Sequence, residues 1–182
     1  MANGVDNSLQ EKVVEDLWSW IREFVAVPNE YYGGKFAPCP YAFSALAAES
    51  VAVAAWERGD ARNFVIEKSK ELVENSNLTT FVIALPPRFQ SAFGFSDFIE
   101  SLNRELIPRN VFLNTGVAKT TQSRYPGSNG QPYFIVVANS LDGVMKGASA
   151  LRRTGYYKDW PPEHFELVVV RRDRLYQKYG GG

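Results

Sequence analysis

The strongest constraint on the fold is a regular alternation of short apolar runs and amphipathic segments between residues 79 and 170. The runs are rich in Val, Ile and Phe, which is typical of β-strands. Between them, apolar residues recur at the three- and four-residue spacing of a helix, as at Ile99, Leu102 and Leu106. The pattern predicts strands at 79–85, 111–118, 133–138 and 165–170, and helices from Ser96 to Pro108 and from Ser140 to Gly155.

The order strand, helix, strand, strand, helix, strand predicts an α+β domain of the ferredoxin-like βαββαβ type. In that plan, four antiparallel strands form one sheet and both helices lie on a single face of it. The other face requires a cover, since an apolar sheet face must be buried against another element. We expect the first 75 residues to supply this cover, with a helix that carries Trp18 and Trp20.

The start of the chain is predicted to be a helix followed by an ordered loop. Apolar residues at helical spacing follow the capping residues Asn7 and Ser8, and this helix must end before Pro28. The segment 28–40 contains three prolines and two glycines, which prevent regular structure. Its Tyr and Phe side chains favour burial, so we expect an ordered loop and not a linker.

The segment 45–56 fits either a strand or the end of a helix that begins near Ser44, and its valines favour the strand. A further helix is predicted at 61–75. The length of 182 residues suits one domain better than two. We therefore expect a single α+β domain, with an N-terminal part at 1–75, a βαββαβ core at 76–172 and a basic, glycine-ended tail at 173–182.

The composition excludes several classes of protein. With 45% apolar residues, 14 Gly and 10 Pro, the chain is neither disordered nor of low complexity. One Cys and one His cannot build a Cys/His zinc site, and we predict no metal and no cofactor. No stretch reaches the roughly 18 apolar residues of a membrane span, and the first residues lack the features of a signal peptide. We expect a cytoplasmic protein with no membrane partner.

The net charge of zero conceals an asymmetry along the chain. Residues 1–108 carry 9 Lys/Arg and 15 Asp/Glu, a net −6, whereas residues 109–182 carry 11 and 5, a net +6. Because catalytic residue types are scarce, the main hypothesis is a non-catalytic interaction module that binds a macromolecule through this basic half. The predicted contacts are Lys119 and Arg124 in a polar loop, and Arg152, Arg153, Arg171, Arg172 and Arg174.

The expected partner is another protein or a second copy of the chain, and nucleic acid is an alternative. The predicted order of elements resembles that of RNA-recognition domains, whose first and third strands stack bases on aromatic side chains. Phe81 and Tyr133 occupy two of those aromatic positions, whereas Ile135 and Ala138 stand at others. The resemblance implies RNA binding on the sheet face through Phe81 and Tyr133.

Another alternative is an enzyme or a small-molecule-binding protein built around Cys39. Prolines on both sides restrict the backbone there, and a helix N-terminus beyond it would lower the pKa of the thiol. The opposing interpretation is a small buried residue that anchors the loop. His164 is interpreted as a strand-edge residue, since no serine-nucleophile motif accompanies it. The residues expected around Cys39 are Tyr31, Tyr32, Lys35 and Tyr41.

Several short motifs lie between residues 15 and 140. They are Trp18 to Phe24, Cys39-Pro40-Tyr41-Ala42, Leu85-Pro86-Pro87, Phe95 to Phe98, and Gln131 to Tyr133. In this combination they resemble an uncharacterised bacterial domain family with a W…CPFA signature. That family has a histidine near the strand end, where Pro87 and Arg88 stand here. The resemblance implies no particular activity.

Overall fold

The computed structural model describes residues 7–28, 34–85, 94–116 and 134–180, and these form a mixed α/β structure. The strands are β1 (Val51–Ala55), β2 (Thr80–Leu85), β3 (Val111–Gly116) and β4 (Phe134–Ser140). The helices are α1 (Asn7–Trp20), α2 (Ala42–Ala47), α3 (Ala61–Glu74), α4 (Gly94–Leu106), α5 (Leu141–Arg152), α6 (Pro162–Phe165) and α7 (Arg171–Tyr179). A π-helical turn at Ile21–Val25 extends α1, another at Glu166–Val170 joins α6 to α7, and a 3-10 turn at Ile107–Arg109 follows α4.

Side-chain caps define where two of the helices begin. The Asp60 carboxylate accepts a hydrogen bond from the Asn63 backbone N–H at 2.9 Å, at the start of α3. The Ser140 hydroxyl accepts one from the Gly143 N–H at 3.4 Å, at the start of α5. Asp and Ser are favoured at this position because they satisfy backbone donors that have no partner within the helix.

The sheet has the strand order β1-β2-β4-β3. β1 runs parallel to β2, with Val53 beside Val82. β4 is antiparallel to both of its neighbours, so that Ala138 lies between Phe81 and Leu113. Parallel strands need a crossover connection, and α3 provides the one between β1 and β2.

Both faces of the sheet are covered by helices. On one face, strand residues such as Phe81 and Leu113 pack against α3 and α4. On the other, Val82 and Ala84 pack against Leu17 of α1. The expectation that the N-terminal helix covers the second face is confirmed, because strand side chains alternate between the two faces and both sets are apolar.

The C-terminal helices extend this second layer. Phe112 of β3 packs with Leu141 of α5 and Leu175 of α7, and Ile107 completes the cluster. Since the neighbours of Phe112 along β3 point to the α3 and α4 face, its own side chain points to the α1 face. Helix α7 is therefore anchored in the core by Leu175, and residues 173–179 do not form a separate tail.

The predicted strand at 165–170 is wrong, and the strand order does not confirm the ferredoxin-like βαββαβ plan. This segment continues from α6 into α7 as helix, with Val169 buried while Leu167 and Val170 are exposed. In the ferredoxin-like plan the last strand lies beside the first, which is β2 here, and β1 occupies that position instead. Within a helix the segment satisfies its own backbone groups, which overrides the strand preference of its valines.

The remaining predicted strands agree with the structure within a few residues. The segment 45–56 contains both the end of a helix and a strand, because α2 ends at Ala47 and β1 begins at Val51. Because β1 joins the sheet and 165–170 does not, the observed order is βαβαββ, followed by helices. The polar loop predicted at 119–131 lies outside the described residues.

Candidate interaction surface

The cations of helix α7 lie on two sides of the helix, one buried and one exposed. Arg172 and Leu175 point inward, with 5% and 1% of their surface exposed. Arg171, Arg174 and Lys178 follow the spacing i, i+3 and i+7, so they share one side of the helix. This side carries positive charge along most of its length.

Arg104 of α4 adds a fourth cation beside this side of α7. Its guanidinium lies 6.0 Å from the centre of the Tyr179 ring, and the Lys178 Nζ lies 5.1 Å from the same ring. Hydrogen bonding from Lys178, and more weakly from Arg104, lowers the pKa of the Tyr179 hydroxyl. We call the four cations Arg104, Arg171, Arg174 and Lys178 the basic stripe.

Arg171 is the least solvated member of the basic stripe. Burial lowers the pKa of its guanidinium, and this effect is partly offset by the charge of Glu100 on α4. Its Nη2 atom is buried and has no hydrogen-bond partner among the described residues. One donor at the inner end of the basic stripe therefore has no acceptor in the part of the chain that the structure describes.

Two of the predicted contact residues are paired with Asp173 of α7. The Nε and Nη2 atoms of Arg172 donate to Asp173 at 3.0 and 2.8 Å, and Arg172 is buried. Arg152 at the end of α5 forms an ion pair with the same carboxylate. Asp173 thus pairs with cations from two helices. Its negative charge offsets part of the positive charge of Arg152 and Arg172.

The other predicted contacts have different positions. Arg174 is exposed and belongs to the basic stripe, and Arg153 is exposed just beyond the end of α5. Lys119 and Arg124 lie outside the described residues. The contacts predicted from the sequence do not include Arg104 and Lys178, because the sequence places 171–174 at the end of a strand and in a tail. A helical spacing test on residues 171–179 would have placed Lys178 beside Arg171 and Arg174.

Phe81 does not lie on an open sheet face. It is 4% exposed and is packed in the core between the sheet and the helices α3 and α4. A buried ring cannot stack on a base, so the expected role of Phe81 in RNA binding is wrong. Tyr133 lies outside the described residues.

Cys39 lies in a loop that is tied to distant parts of the chain. Its N–H donates to the Val25 carbonyl at 3.1 Å, and the buried Tyr156 hydroxyl donates to the carbonyl of neighbouring Pro38 at 2.6 Å. Although part of the residue remains exposed, burial of the thiol raises its pKa, and hydrogen bonds from the backbone of Tyr41 and Ala42 offset this only in part. A raised pKa is the opposite of what an activated nucleophile requires.

The residues expected around Cys39 do not form a catalytic group in the described structure. The Tyr41 hydroxyl donates to the backbone carbonyl of Gly147 at 3.0 Å, which ties the loop to α5. Lys35 is exposed, and Tyr31 and Tyr32 lie outside the described residues. His164 lies on the short helix α6, with its ring 4.4 Å from that of Trp160. It is not the strand-edge residue that the sequence suggested.

The other observations provide no further guide to function. Within the described ranges, no group of three or more His, Cys, Asp and Glu residues is arranged to hold a metal ion. Among the same residues, no helix has both the length and the apolar character needed to cross a membrane. No protein-family model matches the chain, and comparisons with curated proteins and with solved structures also found no match.

Proposed function

We propose that the protein is a non-catalytic interaction module whose basic stripe binds an acidic surface of a partner protein. The observation that carries the proposal is the alignment of Arg171, Arg174 and Lys178 along one side of α7, with Arg104 beside them. A group of cations on a rigid helix presents a fixed charge pattern, which favours a complementary surface and disfavours others.

The composition of the basic stripe favours a protein over a nucleic acid. Binding to nucleic acid requires many phosphate contacts and a strongly positive surface. Here the cations are few, Glu100 lies close to Arg171, and the net charge of the whole chain is zero. Arg and Tyr are also the residue types that carry much of the binding energy in protein interfaces, and Tyr179 lies among these cations.

The expected binding is electrostatic in character. Exposed charges at the edge of an interface mainly speed association and make it sensitive to salt. Arg171 differs from the others because it is only partly exposed, and an ion pair with a partner there would be screened less by solvent than one at Arg174 or Lys178. We expect Arg174 and Lys178 to attract the partner and Arg171 to contribute to the lifetime of the complex.

The test uses a polyglutamate peptide and a single-stranded RNA as fluorescent probes for the whole protein. The double variant Arg174→Glu/Lys178→Glu reverses two exposed charges of the basic stripe. The matched control is Arg58→Glu/Lys70→Glu, which makes the same charge change at exposed positions elsewhere. Fluorescence anisotropy is measured for both variants and the wild type at low and at moderate salt.

We expect the wild type to bind polyglutamate and the α7 variant to bind it at least about tenfold more weakly, with little change in the control. Equal loss in both variants would show that only net charge matters and would overturn the proposal. Absence of binding to polyglutamate would also overturn it. Tighter binding to RNA, with a steep salt dependence lost in the α7 variant, would replace the protein partner by nucleic acid.

A further inference from the structure

Residues 162–179 form one continuous helical segment with a buried side and an exposed side. α6 continues through a π-helical turn into α7, and the residues at both ends of that turn keep right-handed helical backbone angles. The buried side is held in the core by Val169, Arg172 and Leu175. The opposite side of the segment therefore faces solvent along its whole length.

The exposed side consists of six residues on a single helix face. They are Glu163, Glu166, Leu167, Val170, Arg171 and Arg174. Their spacing of i, i+3, i+4, i+7, i+8 and i+11 is that of one side of a helix. Arg171 is partly exposed and the other five residues are exposed, which agrees with this spacing. We call these six residues the α6–α7 face.

The α6–α7 face has charges of opposite sign at its two ends and apolar side chains at its centre. Two glutamates come first, Leu167 and Val170 follow, and two arginines come last. Leu167 and Val170 are 46% and 36% exposed, which is high for apolar side chains. Among the described residues, neither of the two glutamates nor Arg174 forms an ion pair.

The order of these side chains is complementary to itself when the helix is reversed. Two copies of the face, placed antiparallel, can share a twofold axis that passes between Val168 and Val169. The side chains that then lie opposite each other are Glu163 and Arg174, Glu166 and Arg171, and Leu167 and Val170. Each of these pairs occurs twice, as an interface between two identical surfaces requires. This complementarity belongs to the sequence of the face and is not a general property of helices.

We propose that the acidic partner of the basic stripe is the α6–α7 face of a second copy of the chain, bound antiparallel about this axis. The inference rests on the proposed function, because it identifies the partner that the basic stripe binds. In the dimer, Glu163 pairs with Arg174 and Glu166 with Arg171 on both sides of an apolar centre.

Charge complementarity favours a second copy over a partner of a single charge sign. RNA, an anionic membrane or a wholly acidic peptide would be attracted by Arg171 and Arg174 but repelled by Glu163 and Glu166. Such a partner can occupy only the basic end of the face. A second copy meets opposite charge at both ends and apolar side chains in the middle, so it covers the face completely.

The two kinds of contact have different roles in this dimer. Exposed ion pairs contribute little affinity on their own, since water and salt screen them. Their main effect is to fix the antiparallel orientation, because a parallel pair would place like charges together. The burial of Leu167 and Val170 supplies affinity that does not depend on salt.

The test exchanges the charges at one pair of opposite positions and measures the dimer by sedimentation velocity of the full chain. Glu163→Lys and Arg174→Glu each place like charges opposite each other in a homodimer. In an equimolar mixture of these two variants, opposite charges face each other again at both ends. The matched controls are Glu74→Lys and Arg58→Glu, which make the same charge changes at exposed positions elsewhere.

We expect a wild-type dimer that weakens as salt rises, and a dimer dissociation constant at least about tenfold higher in each of the two variants. The mixture should form a heterodimer of nearly wild-type affinity. A chain with both substitutions, Glu163→Lys/Arg174→Glu, should form a homodimer again, and the controls should match the wild type. Circular dichroism checks that each variant is folded, and recovery in the mixture excludes unfolding as the cause of dissociation.

A wild type that stays monomeric at all concentrations overturns the inference. An unchanged dimer in the two variants, or no recovery in both the mixture and the double variant, also overturns it. The proposed function is tested separately, because Glu163→Lys keeps the whole basic stripe and should still bind polyglutamate. If it does so while the wild type is monomeric, only the inference fails. If it does not bind polyglutamate, the proposed function fails.

Discussion

The side-chain amide of Asn103 in α4 forms two hydrogen bonds with the backbone of Leu113 in β3. Its Nδ2 donates to the Leu113 carbonyl at 3.0 Å, and its Oδ1 accepts from the Leu113 N–H at 2.8 Å. Both residues are fully buried. The amide therefore forms the two hydrogen bonds that a neighbouring strand would otherwise form with Leu113. It also holds α4 against the edge of the sheet.

Replacing Asn103 by alanine should destabilise the protein strongly. Two backbone groups of Leu113 would lose their partners in a buried site, and each such loss costs about 1–3 kcal/mol. The measurement is the free energy of unfolding in urea. Asn63→Ala, at an exposed position on α3, is the control and should change this free energy little. Equal effects of the two substitutions would contradict the role assigned to Asn103.

Tyr156→Phe should weaken the attachment of the Cys39 loop. The Tyr156 hydroxyl donates to the Pro38 carbonyl at 2.6 Å and lies 3.2 Å from the Ala37 carbonyl. Removing it leaves the partly buried Pro38 carbonyl without this donor, at a cost of about 0.5–1.5 kcal/mol. Thermal and urea unfolding measure this loss, and Tyr176→Phe at an exposed position serves as the control. A change no larger than that of the control would count against the contact.

Asp173→Asn should destabilise the packing of α7. Arg172 is buried, and its Nε and Nη2 atoms both donate to the Asp173 carboxylate. Asparagine keeps an Oδ1 acceptor but removes the negative charge, and a hydrogen bond between charged groups contributes about 1.5–3 kcal/mol against about 0.5–1.5 kcal/mol for a typical one. The exposed Asp159→Asn is the control for removal of one negative charge. If both variants unfold at the same urea concentration, the carboxylate of Asp173 is not needed.

The Cys39 thiol should react slowly with alkylating reagents. Burial raises the pKa of this thiol, so less of the reactive thiolate is present near neutral pH. We expect iodoacetamide to modify the folded protein at least about tenfold more slowly than the same chain in denaturant. Mass spectrometry follows the modification, and Cys39→Ser confirms the site. Faster reaction than an unfolded thiol would restore the hypothesis of an enzyme built on Cys39.

His164 should make the stability fall on acidification. Burial lowers the pKa of its imidazole in the folded state, so the unfolded chain binds the proton more readily. Its contribution is complete above the unfolded pKa of about 6.5 and is lost as the pH falls through the folded pKa. Urea unfolding at pH 7.5 and at lower pH should show a smaller loss for His164→Gln than for the wild type. Identical pH dependence of the two proteins would contradict this expectation.

The strands and helices that were predicted correctly have sequence signals that span only a few neighbouring residues. The apolar runs of β2, β3 and β4 alternate with the helical spacing of α4 and α5, and turn residues separate them. These signals are local because the periods of 2 and 3.6 residues follow from backbone geometry alone. The same reasoning correctly assigned the cover of the second sheet face to α1.

The segment 165–170 adopts a helical structure that its local sequence does not predict. Its valines favour a strand, but a strand is stable only beside another strand with free backbone groups. β1, more than a hundred residues earlier in the chain, occupies the position beside β2 that such a strand would take. The different exposure of Arg172 and Arg174 has the same origin, because Leu175 packs α7 against Phe112 and Leu141, which buries Arg172 and leaves Arg174 in solvent. Both outcomes depend on contacts between residues that are distant in the chain.

The sequence alone therefore specified an α/β chain, the positions of three strands and a basic second half. The tertiary structure added the pairing of β1 with β2, the helical state of 165–179 and the selection of Arg104, Arg171, Arg174 and Lys178 as one surface. The physical reason is that periodicity and turn preference act between neighbours, whereas strand pairing, burial and ion pairing depend on which distant groups meet.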